Sequence, residues 1–359
     1  MKLNNQEKKE ILLIIGSFLF GGLVMFLLLS STTRNTVIKD RTTIYDKTSL
    51  AASVDKVYDA VVVIESYTGG ALESTGSGFF YKVDDKYAYI LTNEHVLSGT
   101  DTRITTSTDE EAEATILGKD EYLDIAVIRV NKNVAKKVIE FGSSEKANIG
   151  DTIFTVGTPV GKNYKGTVTS GIISGKDRIV QTTVGDKTEE NWLMNVIQMD
   201  AAINRGSSGG PLLNVNGEAI GICTLKFTDS SIEGMSFAIP IEYAINHIEE
   251  FENGKEMKWP ELGISMTNVS NSGTIVNNDI EVPNITDGVV VLSVKNNSSA
   301  EAAKLKKGDV IISIDGKETK NIAYLKYELF QHKIGDKIEI KYIRDGKEKT
   351  TTATLNSSK

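Results

Sequence analysis

The chain has 359 residues, 40% of them hydrophobic, which is enough for two cored domains and an extension. A formal net charge of -8 leaves no basic face to neutralise phosphates, so nucleic acid is excluded as a main partner. The single cysteine, Cys223, excludes an internal disulfide and a cysteine metal cluster, and imidazole chemistry must choose among His95, His247 and His332.

Ile11 to Leu29 carries no charge and no proline. As a helix it would be about 28 Å long, close to the hydrocarbon thickness of a bilayer. Lys2, Lys8 and Lys9 favour a cytoplasmic N-terminus, residues 1–10, although Arg34, Lys39 and Arg41 weaken the asymmetry. A cleaved signal peptide is the competing reading, since Ser30, Ser31 and Thr32 are small. The run exceeds the usual signal core of about 7–15 residues, which favours an uncleaved anchor over 11–30. The remaining chain is then expected outside the cytoplasm, behind a polar linker over 31–47.

Thr48 can cap a short helix reaching Asp59. Short β-rich runs follow, at Ala60–Ser66, Ser77–Val83, Tyr87–Thr92, Arg103–Thr106, Ala112–Leu117 and Ile125–Val130. More lie at Thr152–Val156, Gly166–Ile173, Trp192–Gln198, Pro211–Leu213, Ala219–Leu225 and Met235–Ala238. About a dozen short strands at this spacing point to a sandwich or paired barrels, a mostly β fold. Pro240 opens a helix, Ile241 to Phe251, with Ile241, Ala244, Ile245 and Ile248 at helical spacing. Asn253-Gly254-Lys255 ends it, which bounds one domain at 48–252 and a second at 260–359. The second domain has core runs at Leu262–Met266, Gly288–Val294, Val310–Ile314 and Lys337–Ile343, with a helix over Ile322–Gln331. Its polar segment Asn268 to Asp287 is expected to be a mobile loop.

Asp200 to Pro211 sets a serine in a glycine-flanked turn, Gly206-Ser207-Ser208-Gly209-Gly210. Such a turn can aim backbone N–H groups at one point, as an oxyanion needs, with a hydroxyl beside them as nucleophile. Gly206, Ser207 and Ser208 are the oxyanion-hole candidates, with the N–H groups of Gly206 and Ser208 foremost. Ser208 is the candidate nucleophile because it precedes Gly209-Gly210-Pro211, with Ser207 as the fallback. His95 closes the strand Tyr89 to Val96 and is the candidate base. Asp124 opens an apolar strand, where its carboxylate can orient an imidazole; Asp120, in the preceding turn, is its rival. The order His95, Asp124, Ser208 is that of chymotrypsin and differs from those of subtilisin and the α/β-hydrolases. His247 and His332 read as surface or packing residues.

Gly76-Ser77-Gly78-Phe79, Ile90 to Val96, Asp124-Ile125-Ala126-Val127, Thr167 to Ser174 and Gln198 to Pro211 together resemble the HtrA/Deg family of serine proteases. The resemblance covers about 49–250, and about 260–355 for a PDZ-like domain. It implies a chymotrypsin-like double β-barrel followed by a smaller α+β PDZ domain, behind the N-terminal transmembrane helix. It also implies a His95–Asp124–Ser208 triad, a homotrimer and cleavage of unfolded or misfolded proteins, with no cofactor and no metal. Arg205 and Ser207 depart from the family's usual proline and asparagine before the nucleophile.

The specificity pocket is expected from Ala202, Ile203, Cys223 and Thr224. Ala202 stands where proteases that cut after basic residues place an aspartate, so a neutral pocket is expected, and the family resemblance implies small aliphatic side chains such as Val or Ala. The loop Tyr67 to Thr75 is short, while Thr158 to Lys165 and Ile179 to Asn191 are candidate mobile loops around the oxyanion hole. Leu262, Gly263 and Ile264 resemble the carboxylate-binding loop of PDZ domains, which implies capture of C-terminal peptides. Two alternatives stand beside the protease: a non-catalytic, membrane-tethered peptide-binding or chaperone module, and an esterase. Keeping all three triad candidates argues against the first, and the lack of a Gly-x-Ser-x-Gly elbow against the second.

Overall fold

The structure is a computed structural model that describes residues 50–357 except 160, 184–190, 226–233, 256 and 283–284, and residues 6, 9, 13 and 15–25 before them. Residues 15–25 are helical, with Phe18, Leu19 and Phe20 exposed. No described helix is long and apolar enough to cross a membrane; the rest of the expected anchor and the linker lie outside the described residues.

Val54–Lys359 forms one compact unit. Its first closed barrel runs β1 (Val61–Thr68), β2 (Ala71–Val83), β3 (Tyr87–Thr92), β4 (Asp101–Thr105), β5 (Glu111–Asp120) and β6 (Ile125–Asn131), hydrogen-bonded in the order β1-β2-β3-β6-β5-β4. β-Branched and aromatic residues suit such pleated, half-buried surfaces, and here Val62, Ile64, Phe80, Ile90, Ile104 and Ile128 fill the interior. Phe80 is fully buried, so its truncation to alanine should cost about 3–5 kcal/mol.

The second closed barrel comprises β7 (Thr152–Gly157), β8 (Thr167–Thr183), β9 (Asn191–Met199), β10 (Pro211–Asn214), β11 (Ala219–Thr224) and β12 (Ser236–Pro240), in the order β10-β11-β12-β9-β8-β7. Ile153, Ile173, Met199, Leu212, Ile220 and Ala238 pack its core. The helix Ile241–Glu252 follows and buries Ile241, Ala244 and Phe251.

Two expected loops contain strand where they are described. Tyr67 to Thr75 continues the β1–β2 ladder, and its turn is only Gly69-Gly70, at φ 58° and 86°, the left-handed pair that a tight hairpin demands. Ile179 to Thr183 extends β8, pairing Ile179 with Asn195 and Thr183 with Asn191. Register shifts around Gly175 break the alternation there, which hides the strand's true length.

The C-terminal domain pairs β14 (Ile264–Asn268), β15 (Val289–Val294), β16 (Val310–Ile314), β18 (Lys337–Arg344) and β19 (Lys347–Thr354) in that order. The remaining short strands are β17 (Lys317–Glu318) against β16, and β13 (Pro260–Glu261) against β20 (Asn356–Ser357). The helix Ile322–Phe330 buries Ala323, Leu325 and Leu329. Asn268 to Asp287 is more than a loop. It holds a helix, Ser272–Asn277, capped by Asn271, whose buried Ile275 packs with Val290 and Val310.

Candidate active site

His95 lies in a 3-10 turn, Glu94–Val96, just past the end of β3. Its Nδ1 is 2.8 and 2.9 Å from the two carboxylate oxygens of Asp124, and its backbone N–H donates to Oδ1 at 3.1 Å. An ionised carboxylate only accepts, so Nδ1 carries the ring proton and Nε2 keeps a free lone pair. The Asp124 side chain is wholly buried while about a third of the His95 side chain is exposed, so the acid is sheltered and the base is reachable.

Asp124 sits at φ 54°, a left-handed conformation that a residue with a Cβ holds only when its surroundings enforce it. Asn93 supplies part of that constraint, its Nδ2 donating to the Asp124 carbonyl at 2.8 Å. Thr224 Oγ1 donates to Asp124 Oδ2 at 3.2 Å, so the second barrel also holds the carboxylate. Asp120 has a different job. Its carboxylate accepts from the backbone N–H groups of Tyr122 and Leu123 and from the Trp259 indole, closing the turn that leads to Asp124. Burial pushes the Asp120 carboxyl above its usual range, and these three hydrogen bonds oppose that shift.

In the serine loop, the Ser207 N–H donates to Asn204 O at 2.8 Å, closing a turn with Gly206 at φ 97°. Ser207 therefore drops out of the oxyanion-hole set, because its donor is already used. The N–H groups of Gly206 and Ser208 have no acceptor among the described residues. Ser77 of the first barrel and Thr158, just past β7 of the second, pin this loop. Ser77 Oγ donates to Gly206 O at 2.7 Å, Thr158 Oγ1 lies 3.1 Å from the same oxygen, and the Ser77 N–H donates to Ser208 O at 2.8 Å. Gly209 is required twice over: φ is 86°, and a Cβ would fall 2.2 Å from Ser77 O.

The two serines face different surroundings. Ser207 Oγ is 3.4 Å from Asn204 N and packs towards Gly157 at the end of β7. Ser208 Oγ accepts from the Leu225 N–H at 3.2 Å, next to the Thr224 that holds Asp124. Among the described residues no hydrogen bond joins Ser208 to His95.

Of the four expected pocket residues only Ala202 is exposed; its carbonyl accepts from Thr169 Oγ1 at 2.9 Å. Ile203 and Cys223 turn into the second barrel's core, and the buried Thr224 hydroxyl is committed to Asp124. All six residues of β11 are buried, so its side chains leave no open wall. Burial pushes the Cys223 thiol up to about 12.

In the second domain Leu262 joins the core, Gly263 sits at φ 72°, and Ile264 begins β14. The N–H groups of Leu262 and Gly263 have no acceptor among the described residues, which suits an anionic terminus. His247 packs near Trp259, with ring centroids 6.0 Å apart, and His332 pairs with Asp315 at 3.4 Å. Among the described residues no three His, Cys, Asp or Glu side chains are grouped as metal ligands would be. Sequence reasoning missed Thr158 and Leu225 as loop supports, and Thr224 as a partner of Asp124. A serine between two glycines in an apolar strand, Ser77, was the readable signal of a buried polar hub.

Comparison with known proteins agrees with this fold. The trypsin-like peptidase domain family matches residues 76–222 and the PDZ domain family residues 260–355. Serine protease Do-like HtrA of Lactococcus lactis subsp. cremoris is 37% identical over 297 residues, spanning 81% of this chain and 72% of that protein. Serine protease Do-like HtrB of Bacillus subtilis is 39% identical over 287 residues, 78% of this chain and 61% of the relative. Among solved structures, the serine endoprotease from Yersinia pestis superposes with a TM-score of 0.63 at 26% identity, covering 87% of this chain and 99% of the other. The HtrA-type protease AlgW with tripeptide gives 0.63 at 29% identity, covering 87% and 98%.

Proposed function

This chain belongs to the HtrA family and is a serine endopeptidase, and on that premise we propose that Ser208, His95 and Asp124 are its catalytic triad. The observation that carries the assignment is the paired contact of His95 Nδ1 with both oxygens of the buried Asp124 carboxylate. Nε2 of His95 takes the proton of Ser208 Oγ as that oxygen attacks the scissile carbonyl, and later delivers it to the leaving amine. Asp124 fixes the tautomer and stabilises the imidazolium. The N–H groups of Gly206 and Ser208 receive the negative oxygen of the tetrahedral intermediate.

The substrates we assign are unfolded or damaged proteins, and the C-terminal PDZ domain binds C-terminal peptides at Leu262, Gly263 and Ile264. Residues 11–29 anchor the chain in the cell membrane, with both domains on the extracytoplasmic side and a homotrimer as the working assembly. The uncharged run and its preceding lysines support the anchor. The protease domain occupies 48–252 and the PDZ domain 260–359.

The deciding experiment incubates the full chain in detergent micelles with reduced casein, beside its Ser208→Ala and Ser207→Ala variants. Cleavage by the native chain and by Ser207→Ala, with none by Ser208→Ala, is expected. Cleavage surviving in Ser208→Ala would move the nucleophile elsewhere. No cleavage by any, even with added C-terminal peptides, would favour a peptide-binding module.

A further inference from the structure

Beside the carboxylate-binding loop lies a cavity of about 330 Å³ whose walls are not all PDZ. Gly263 and Ile264 border it on the strand side, and Leu329 and Phe330 on the helix side. Trp259, before the PDZ domain, and Tyr122, from the first barrel, complete it. The rings form one packed cluster. Trp259 stacks on Phe330 at 4.2 Å and 11°, and Tyr122 meets Phe330 edge-on at 5.4 Å and 89°. Tyr122 is held from behind by Trp192 of β9, with centroids 5.0 Å apart, and Trp259 is fixed by its indole bond to Asp120.

A peptide carboxylate received by the N–H groups of Leu262 and Gly263 brings its own terminal side chain to this cavity, since both residues line it. Lys326, also on the lining, holds its ammonium 5.9 Å from the Tyr122 ring centroid and so puts a positive charge on the cavity wall. We propose that the C-terminal side chain of a bound peptide occupies a composite pocket in which Tyr122 of the protease barrel is one wall. The occupant is a free C-terminus ending in an aromatic or large aliphatic residue, because aromatic and aliphatic carbons form most of the surface it meets. Tyr122 stands two residues before Asp124, in the turn that Asp120 closes, so the ligand touches the segment that carries the proposed catalytic acid. The proposal rests on the peptide-binding reading of the PDZ domain.

The test uses the full chain in detergent as Ser208→Ala, so that no probe is cut. Binding of fluorescein-labelled peptides, identical except for a terminal Phe, Leu or Ala, is followed by anisotropy, with a C-terminal amide of the Phe peptide as control. The Phe and Leu peptides should bind about tenfold or more tighter than the Ala peptide. Tyr122→Ala should shrink that preference to about threefold or less while leaving the Ala peptide nearly unchanged, and Tyr122→Phe should keep it. Tyr122→Leu, which retains apolar bulk, should fall between, and serves if Tyr122→Ala does not fold. Equal weakening of all three peptides, or no effect, overturns the composite pocket alone. Binding indifferent to amidation, or absent for every peptide, overturns the peptide-binding reading and the pocket with it.

Discussion

The hydroxyl oxygen of Ser208 accepts a hydrogen bond from the backbone N–H of Leu225 at 3.2 Å, which holds it at the end of β11 and off His95. Turning the hydroxyl towards His95 gives up that bond. A neutral hydrogen bond contributes about 0.5–1.5 kcal/mol net, so releasing the hydroxyl lowers the attacking population by roughly 2–10-fold. Labelling of Ser208 by an active-site phosphonate should therefore be slow at rest and accelerate on adding a hydrophobic C-terminal peptide. Acceleration within about tenfold fits this single hydrogen bond as the barrier. A gain above about a hundredfold requires the loop itself to rearrange.

Asp124 is held by two barrels, through His95 and Asn93 on one side and Thr224 on the other. Asp124→Asn offers the His95 ring an amide in place of a carboxylate and favours the wrong tautomer, so kcat should fall by about 10⁴-fold. Thr224→Val removes one hydrogen bond to a buried carboxylate, an interaction of about 1.5–3 kcal/mol, only part of which reaches the transition state. A loss of about tenfold in kcat with KM unchanged is expected. Steady-state kinetics on an unfolded substrate separates the two, and a Thr224→Val enzyme as impaired as Asp124→Asn would assign the threonine a larger role.

Ser77 and Thr158 converge on one oxygen, the carbonyl of Gly206, and the peptide so fixed adjoins both proposed oxyanion donors. Both side chains are buried, so neither has solvent to substitute for its partner. Ser77→Ala should lower kcat by about tenfold and weaken a boronic acid analogue of the intermediate in proportion, with KM nearly unchanged. Thr158→Val should act in the same direction. Because the two share an acceptor, the double variant should lose less than the product of the single losses. A rise in KM matching the fall in kcat/KM would instead place Ser77 in substrate binding.

The triad candidates were legible because chain order and residue type constrain them: one histidine ends an apolar strand, one aspartate begins another, and one serine directly precedes a Gly-Gly-Pro. What holds them was not legible. Thr224 and Leu225 act through the direction of one side chain and one N–H at a strand end, which no local pattern encodes. The strand pattern told the same story. β3 and β6, buried and nearly unbroken, could be read from their runs of apolar aromatic, aliphatic and β-branched residues. β19 could not: Lys347 to Thr354 is polar, and only Ala353 in it is buried, as befits an edge strand. The helix in Asn268 to Asp287 was hidden because a single side chain, Ile275, anchors it.

Cys223 lies fully inside the second barrel, with its thiol 3.4 Å from Thr155 Oγ1 and its pKa pushed up to about 12 by burial. The thiolate, the reactive form, is therefore scarce at pH 8. Iodoacetamide should leave the native chain unmodified over hours and label it within minutes in guanidinium chloride, read by intact mass. Modification of the native chain at the denatured rate would mean that this barrel opens readily.

His247, on the helix Ile241–Glu252, is half buried beside Trp259, and burial lowers its pKa below the usual value of about 6.5, with Glu250 and Asp120 opposing. The unfolded chain therefore takes up the proton first as the pH falls. Stability linked to this residue is intact above about pH 6.5, declines as pH drops towards the folded pKa, and is fully lost below it. Many carboxylates also titrate on the acid side, so the informative quantity is a difference between variants. His247→Gln keeps a polar side chain of similar reach without the proton, and should lose less thermal stability than the native chain between pH 7.5 and 5.5. Melting curves with parallel slopes for the two proteins across that interval would show that the His247 ring takes up its proton without cost, and that its packing against Trp259 tolerates the charge.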